Sequence, residues 1–248
     1  MARVTVHADD VELDRPTMVE GLPGVGLVGK LAADQLVEVF DMTYYASLDC
    51  DGLPQISVYE GGSRDVRPPV RLYADAERDL LVLQSDVPVS ASAASDFAAC
   101  VTEWLADNDA TPIYMSGLPH QKEADQIPSL YGVATGTGGE RLDEQGIDAP
   151  SERGAISGPT GALLYEASAR GVDAVGLVVQ SDPQFPDPEA ARILIEHGVA
   201  PLTGAEVNTT DLVERAEDIS EQKEQLAQRM QEAEPDESSQ AQPLRMFQ

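Results

Sequence analysis

The sequence predicts an α/β fold in which helices cover both faces of a mostly parallel central sheet. Short apolar runs typical of strands alternate with segments whose apolar residues recur at helical spacing. Residues 79–84 and 174–180 are nearly continuous apolar runs, as in strands that are buried on both faces. Because strands that alternate with helices build βαβ units, we expect a three-layer α/β/α sandwich.

In the first half of the chain, a short strand leads through a glycine-rich turn into the first predicted helix. The strand is expected at residues 16–20 and the helix at residues 25–40. A second helix, at residues 90–107, carries a single apolar stripe. Further strands are predicted at residues 42–48, 55–59, 70–73, 79–84 and 112–115, with a turn at residues 64–69.

The second half continues the alternation. Its predicted elements are strands at residues 131–134, 155–156 and 174–180 and helices at residues 161–170 and 188–197. Residues 135–153 are rich in Gly, Asp and Glu, which predicts a long exposed loop. The hexapeptides L-V-L-Q-S-D and L-V-V-Q-S-D end two of the buried strands, so Asp86 and Asp182 are expected at strand carboxyl ends.

The charge of the chain is unusual. Asp and Glu number 44 against 16 Lys and Arg, which gives a formal net charge of −28, and the lysines are Lys30, Lys122 and Lys223. An acidic, lysine-poor surface resembles the proteins of extreme halophiles, in which molar salt screens the repulsion. The alternative is an acidic partner-binding protein, but the acidic residues are spread along the whole chain. The sequence lacks the basic stripe that nucleic-acid binding requires.

Cysteine and histidine usage predicts neither a disulfide framework nor a metal site. Cys50 and Cys100 each stand where a small buried apolar residue would fit, so we expect core thiols. His7, His120 and His197 are scattered without metal-ligand spacing, and we expect no metal and no cofactor. The sequence shows neither a signal-peptide pattern nor an apolar stretch of about 18 residues, which favours a cytoplasmic protein.

The glycine-rich turn fits two interpretations. Gly24, Gly26 and Gly29 spell G-x-G-x-x-G, and Gly24 to Lys30 spell G-x-x-x-x-G-K. A P-loop continues with a Ser or Thr that ligates Mg²⁺, but this chain has Leu31 there. The turn is therefore either a phosphate-binding loop or a tight strand-to-helix turn, because close backbone packing needs the same glycines.

Two segments carry a resemblance to a known family. Residues 19–35, V-E-G-L-P-G-V-G-L-V-G-K-L-A-A-D-Q, resemble the opening signature of the PAC2 family, the proteasome assembly chaperones and their archaeal relatives. Residues 155–164, A-I-S-G-P-T-G-A-L-L, resemble the later strand-to-helix turn of that family. The resemblance covers about residues 15–230. It implies a nucleoside phosphorylase-like sandwich that binds proteasome α subunits as a homo-oligomer and has no established catalytic residues.

The end of the chain departs from the α/β pattern. Residues 208–231 predict a helix with a heptad seam, which either docks on the domain or oligomerises, and residues 232–248 predict an acidic disordered tail. Met246-Phe247-Gln248 resembles the hydrophobic-tyrosine-any motif that docks into pockets between proteasome α subunits, with Phe in place of Tyr. A linker of about a dozen disordered residues spans about 20 Å, enough for the tail to reach a separate body.

These observations predict an α/β domain at residues 1–207 followed by the helix and the tail. The expected function is non-catalytic binding of proteasome α subunits or the α ring, as an assembly chaperone or an activator. The alternative is a nucleotide or small-molecule enzyme in which Lys30 and the glycine amides hold a phosphate and Asp86 or Asp182 is the base. Ser157 and Thr160, at a helix start, are further candidates for anion binding or for capping.

Overall fold

In the computed structural model, which describes residues 3–59, 61–120, 126–184 and 186–212, a mixed sheet lies between two layers of helices. The strands are β1 (Arg3–Val6), β2 (Thr17–Gly21), β3 (Thr43–Asp49), β4 (Val58–Tyr59), β5 (Val66–Arg67), β6 (Val70–Asp75), β7 (Leu80–Ser85), β8 (Thr111–Pro119), β9 (Leu130–Thr135) and β10 (Ala174–Ser181). The α-helices are α1 (Val28–Val39), α2 (Ala94–Asp107), α3 (Gly138–Glu144), α4 (Gly158–Arg170), α5 (Pro188–Leu194) and α6 (Ala200–Thr203).

The four central strands of the sheet run parallel, and the outer strands run antiparallel. The strand order is β1-β3-β6-β7-β2-β8-β10-β9, in which β7, β2, β8 and β10 form the parallel centre. β6, β3 and β1 extend the sheet on the β7 side, and β9 closes the opposite edge. The predicted α/β fold with a mixed sheet is confirmed. Strands β4 and β5 form a separate hairpin.

Alternate residues of each strand face two separate cores. Val19 and Val82 belong to the core beneath α1 and α5, whereas Met18 and Leu81 belong to the core beneath α2 and α4. Because both faces of the central strands are covered, their sequences read as apolar runs rather than as an alternation of apolar and polar residues. This burial is why the sequence identified β7 and β10 most clearly.

Both cysteines lie in the core beneath α2 and α4. Cys50 follows β3, Cys100 is on α2, and both are buried free thiols. The expectation that they are core thiols is confirmed.

The structure contradicts the long exposed loop predicted at residues 135–153. This segment contains α3, and Leu142 and Ile147 are buried in the core beneath α1 and α5. Gly132 of β9 makes room for them, because a Cβ atom there would lie 2.6 Å from Leu142 Cδ2. The helix was not predicted from the composition of the segment, because only two apolar residues anchor it among many Gly, Asp and Glu.

Two element boundaries in the second half also differ from those predicted. Residues 155–156 are irregular rather than a strand, and α4 begins at Gly158, three residues earlier than expected. The helix predicted at residues 188–197 continues through a π-helical turn, Ile195–Val199, into α6. Pro201 stands at this junction and has no N–H to donate to the preceding helical turn.

In the first half, the glycine-rich turn delays the start of the first helix. A 3-10 turn, Val25–Leu27, precedes α1, and Gly26 and Leu27 have the left-handed φ values of 62° and 52°. The strand predicted at residues 55–59 is only β4, which pairs with β5 inside the segment 64–69 that was predicted to be a turn. Edge strand β1 was not predicted, because its alternation is too short to stand out.

The described chain ends where the predicted C-terminal helix begins. Asn208 Oδ1 accepts a hydrogen bond from Thr210 N, Gln35 Nε2 donates to the Asn208 carbonyl, and Leu212 is buried in the core beneath α1 and α5. The predicted continuation of this helix and the predicted tail lie outside the described residues. Within the described part of the chain, no helix is long and apolar enough to cross a bilayer.

Candidate functional site

The candidate site lies at the carboxyl ends of the parallel strands, where β2 and β8 separate. The two strands pair from Thr17 to Val19 on β2 and from Thr111 to Ile113 on β8. After β2 the chain passes through α1 to β3 on the β7 side of the sheet, whereas after β8 it continues to β9 at the opposite edge. Such a topological switch point is where open α/β sheets commonly bind ligands.

The carboxylate of Glu20 fills the fork between β2 and β8. Glu20 is fully buried, and its Oε2 accepts a hydrogen bond of 3.0 Å from Met115 N on β8. Its Oε1 accepts from Leu22 N and from Thr160 Oγ1, both at 3.1 Å. The side chain therefore replaces the ladder hydrogen bonds that are lost where the strands separate, and it satisfies backbone donors that would otherwise be buried without partners.

The bond between Glu20 and Thr160 joins the two segments that carry the family resemblance. Glu20 stands in the first signature, and Thr160 stands 140 residues later in the second. Sequence reasoning named Thr160 as a candidate but gave Glu20 no role. An acidic residue inside the apolar strand T-M-V-E-G was the signal that could have identified it.

Burial dominates the protonation of Glu20. It raises the pKa of Glu20 from an ordinary value of 4.5 to about 7. The hydrogen bonds from Met115, Leu22 and Thr160 act in the opposite direction, because they stabilise the carboxylate form. Glu20 therefore exchanges its proton near neutral pH.

The glycine-rich turn is pressed against the end of β10. A Cβ atom on Gly26 would lie 1.8 Å from Ser181 Oγ, and the Gly26 carbonyl accepts a hydrogen bond of 2.8 Å from Asp187 N. A Cβ atom on Gly29 would lie 3.4 Å from the Leu22 carbonyl oxygen, whereas Gly24 faces open space. These close approaches are what a tight strand-to-helix turn requires. Phosphate binding at Gly24, Gly26 and Gly29 stays a prediction.

Lys30 is buried in a ring of four paired charges and one amide, which we call the charge ring. Its members are Lys30, Asp34, Asp86, Arg71 and the amide of Gln84. Lys30 Nζ donates to Asp34 Oδ1 and Oδ2 at 2.9 and 2.8 Å and lies 3.8 Å from Asp86 Oδ1. Arg71 Nη1 is 2.7 Å from Asp86 Oδ2, and Gln84 joins Arg71 to Asp34 through hydrogen bonds of 3.1 and 2.5 Å. The structure thus brings Lys30 and Asp86 together, with the lysine charge neutralised by two carboxylates.

The remaining candidates take separate positions. Ser157 is exposed at the start of α4, whereas Thr160 points inward to Glu20. Asp182 shapes the turn after β10, since its N–H donates to Asp187 Oδ2 and its Oδ1 accepts from Gln184 N. Met246, Phe247 and Gln248 lie outside the described residues. In the portion of the chain that the structure describes, no group of three or more His, Cys, Asp or Glu side chains is placed to hold a metal ion.

A family model described as the PAC2 family matches residues 18–227. The chain is 27% identical over 226 residues to the protein MJ0106 of Methanocaldococcus jannaschii, and the match covers 90% of both chains.

Solved structures of similar fold come from Pyrococcus furiosus. PbaA, described as an archaeal homolog of proteasome-assembly chaperone, is 26% identical, with a TM-score of 0.79 and 93% of each chain covered. PbaB, described as an archaeal proteasome activator, is 22% identical, with a TM-score of 0.71, and the match covers 91% of this chain and 98% of PbaB. At that identity the likeness to PbaB shows a shared fold.

Proposed function

This chain belongs to the PAC2 family, and on that premise we propose that it binds proteasome α subunits or the assembled α ring without catalysing a reaction. The observation that carries the proposal is the likeness to PbaA along nearly the whole of both chains. The arrangement of Glu20 and the charge ring supports it, because the groups at the strand ends bond to one another. The role is that of an assembly chaperone or of an activator.

The C-terminal tail is the proposed docking element. Met246 and Phe247 would fill an apolar slot between neighbouring α subunits, and the carboxylate of Gln248 would pair with a lysine. Phe247 lacks the hydroxyl of the usual tyrosine, and one such hydrogen bond contributes about 0.5–1.5 kcal/mol. We therefore expect a single tail to bind weakly.

Assembly into a homo-oligomer would compensate for weak single tails. Several tails on one body dock with a high effective concentration after the first has bound, provided that each linker spans the distance between pockets. Native mass spectrometry in high salt that finds only monomers would contradict this part of the proposal.

The charge of −28 supports a proposed setting in a salt-rich archaeal cytoplasm. At molar salt the screening length falls to about 3 Å, so the acidic surface of the chain no longer repels other acidic surfaces over long range. Binding is therefore best measured in molar salt, and we expect it to weaken as the salt is diluted.

The decisive experiment measures binding to cognate 20S particles and to free α subunits in molar salt. It compares the full chain with a chain that lacks Met246-Phe247-Gln248. A matched control lacks Ser238-Ser239-Gln240, which removes the same number of residues from the linker and keeps the chain end. We expect binding by the full chain and the control and its loss when the last three residues are deleted.

Other outcomes change the proposal in defined ways. Binding that survives the terminal deletion would move recognition to the folded domain and contradict tail docking. A lack of binding by all three chains would overturn the proposed function and favour a small-molecule ligand at the glycine-rich turn. Titration with ATP, NAD and nucleosides, followed by the melting temperature, would then test that alternative.

A further inference from the structure

The two cysteines of the chain lie together between β3 and α2, and we call them the thiol pair: Cys50 and Cys100. A packing contact lies on either side of the pair. Tyr45 of β3 packs edge-on against Trp104 of α2, with 6.4 Å between the ring centroids. Beyond the end of β3, a Cβ atom on Gly52 would lie 2.7 Å from the Cβ atom of Ala93, just before α2. The strand and the helix therefore run side by side in opposite directions, and each cysteine stands between these contacts on its own segment.

The two thiols are hydrogen-bonded to each other. This bond raises the pKa of Cys50 and lowers the pKa of Cys100, so Cys50 is the donor and the Cys100 sulfur is the acceptor. Burial and the carboxylates of Glu103 and Asp49 act against a thiolate at Cys100, but the hydrogen bond has the largest influence on its pKa. Since the thiolate is the reactive form of cysteine, Cys100 is the more reactive sulfur of the pair.

Both thiols are free, and their burial restricts which oxidant can reach them. Cys50 is 3% exposed and Cys100 is 8% exposed. Exchange with a bulky disulfide requires access to the sulfur that this burial denies. A small peroxide needs to meet only one thiolate, so peroxides are the class of oxidant that suits the pair.

We propose that the thiol pair is a site of reversible oxidation, at which a small peroxide converts Cys50 and Cys100 into a disulfide that joins the end of β3 to α2. The Cys100 thiolate attacks a peroxide oxygen, the O–O bond breaks, and the sulfur becomes a sulfenic acid. The Cys50 sulfur then attacks the sulfenic sulfur, the S–O bond breaks, and the Cys50 proton leaves with the oxygen as water. Two thiols and one hydrogen peroxide thus become one disulfide and two water molecules.

The disulfide closes a loop of about 50 residues that contains β4, β5, β6 and β7. A cross-link over such a loop restricts the unfolded chain and so stabilises the folded state. The folded state already holds the two sulfurs together, so we expect the melting temperature of the disulfide form to be higher by about 5–10 °C. The site is independent of proteasome binding.

The test treats the folded full chain with hydrogen peroxide at fixed high salt and then maps its peptides without reduction. We expect a peptide that contains Cys50 to be joined to a peptide that contains Cys100, and dithiothreitol should separate them. The melting temperature should rise by about 5–10 °C on oxidation and should return to its first value after dithiothreitol.

A matched pair of variants tests the roles of the two sulfurs. Cys50→Ser and Cys50→Ala both prevent the disulfide, but the serine keeps a hydroxyl that can donate to Cys100. Dimedone should therefore trap a sulfenic acid on Cys100 about threefold faster in Cys50→Ser than in Cys50→Ala. Peroxide should raise the melting temperature of neither variant. Equal trapping rates would contradict the role of Cys50 as the donor.

The unaltered chain alone can overturn the proposal, so the test does not depend on the folding of a variant. Thiols that are still free after peroxide treatment, as measured by alkylation of the unfolded chain, would overturn it. Disulfides that form only between chains would do the same. A disulfide within the chain that leaves the melting temperature unchanged or lowers it would show that the folded state does not hold the two sulfurs in position to bond.

Discussion

Buried ionisable groups lie on both faces of the sheet near the end of β2, but they are stabilised in different ways. At the fork between β2 and β8, the Glu20 carboxylate is surrounded by neutral donors. On the α1 face, the charge ring pairs two cations, Lys30 and Arg71, with the carboxylates of Asp34 and Asp86. Neutral donors leave the charge of Glu20 uncompensated, whereas the ring cancels its charges within a few ångströms.

The difference shows in how the acids titrate and in what each cluster tolerates. Burial raises the pKa of Glu20 to about 7, and it raises the pKa of Asp34 as well, although Lys30 lowers the latter. Glu20 can give up its charge by taking a proton near neutral pH. A charge-ring member that loses its partner remains a buried ion, and that asymmetry predicts which substitutions are most harmful.

The largest expected effect comes from breaking the charge ring. Lys30→Met removes a cation that is 3% exposed and leaves Asp34 and Asp86 with less compensation. We expect the free energy of unfolding to fall by about 3–5 kcal/mol, as when a buried pair loses one partner. Denaturant unfolding of the variant and of the unaltered chain, at the same high salt concentration, measures this loss of stability.

The control for Lys30→Met is Arg170→Met, which breaks a more exposed pair with Glu166 and should cost at most about 1 kcal/mol. Equal losses for the two variants would show that the charge ring behaves like an ordinary surface ion pair.

The second prediction concerns pH and Glu20. Because the folded pKa of about 7 exceeds the ordinary value of 4.5, the folded state holds more protons between these values. The contribution of this group is therefore fully present below pH 4.5 and is lost as the pH rises to 7, by up to about 3 kcal/mol. Glu20→Gln should abolish that loss, and unfolding measured from pH 5 to 8 gives the slope.

The matched control is Glu77→Gln, which changes a carboxylate that is 90% exposed. Its pH profile should follow that of the unaltered chain. If Glu20→Gln also followed it, burial would not be what sets the titration of Glu20.

The third prediction tests the glycine-rich turn that leads from Glu20, at the end of β2, to Lys30 of the charge ring. Gly26→Ala would place a Cβ atom 1.8 Å from Ser181 Oγ at a residue with a φ of 62°. We expect a loss of about 2 kcal/mol from backbone strain and displacement of Ser181. Gly24→Ala, at a position with open space, should change the stability by far less. Comparable losses in the two variants would contradict the packing role of Gly26.

The smallest expected effect comes from removing one donor to Glu20. Thr160→Val deletes the hydroxyl that donates to Glu20 Oε1 at 3.1 Å. We expect a loss of about 1.5 kcal/mol at pH 8, where Glu20 is ionised, and a smaller loss at pH 5.5. Thr160→Ser keeps the hydroxyl and should restore most of the stability. A loss of stability that is the same at both pH values would mean that it comes from the packing of the new methyl group, which replaces the hydroxyl in Val, and not from the lost hydrogen bond.

Local patterns predicted most of the strands and helices of the fold. β7 and β10 were predicted correctly because both faces of each strand are buried, and burial on both faces produces a continuous apolar run in the sequence. Helix α3 was missed because its burial depends on space that Gly132 leaves for Leu142. The glycine-rich turn stayed ambiguous because close backbone packing and phosphate binding require the same residues.

By itself, the sequence determined the alternation of strands and helices, the acidic composition and the family signatures. Only the tertiary structure decided what the polar groups at the strand ends do. Glu20 meets Met115 and Thr160 from 95 and 140 residues away. Lys30 of α1 and Arg71 of β6 both pair with Asp86, which follows β7. Periodicity reports which face of an element is buried. The partner of a buried charge depends on the crossing of distant segments, which no local pattern encodes.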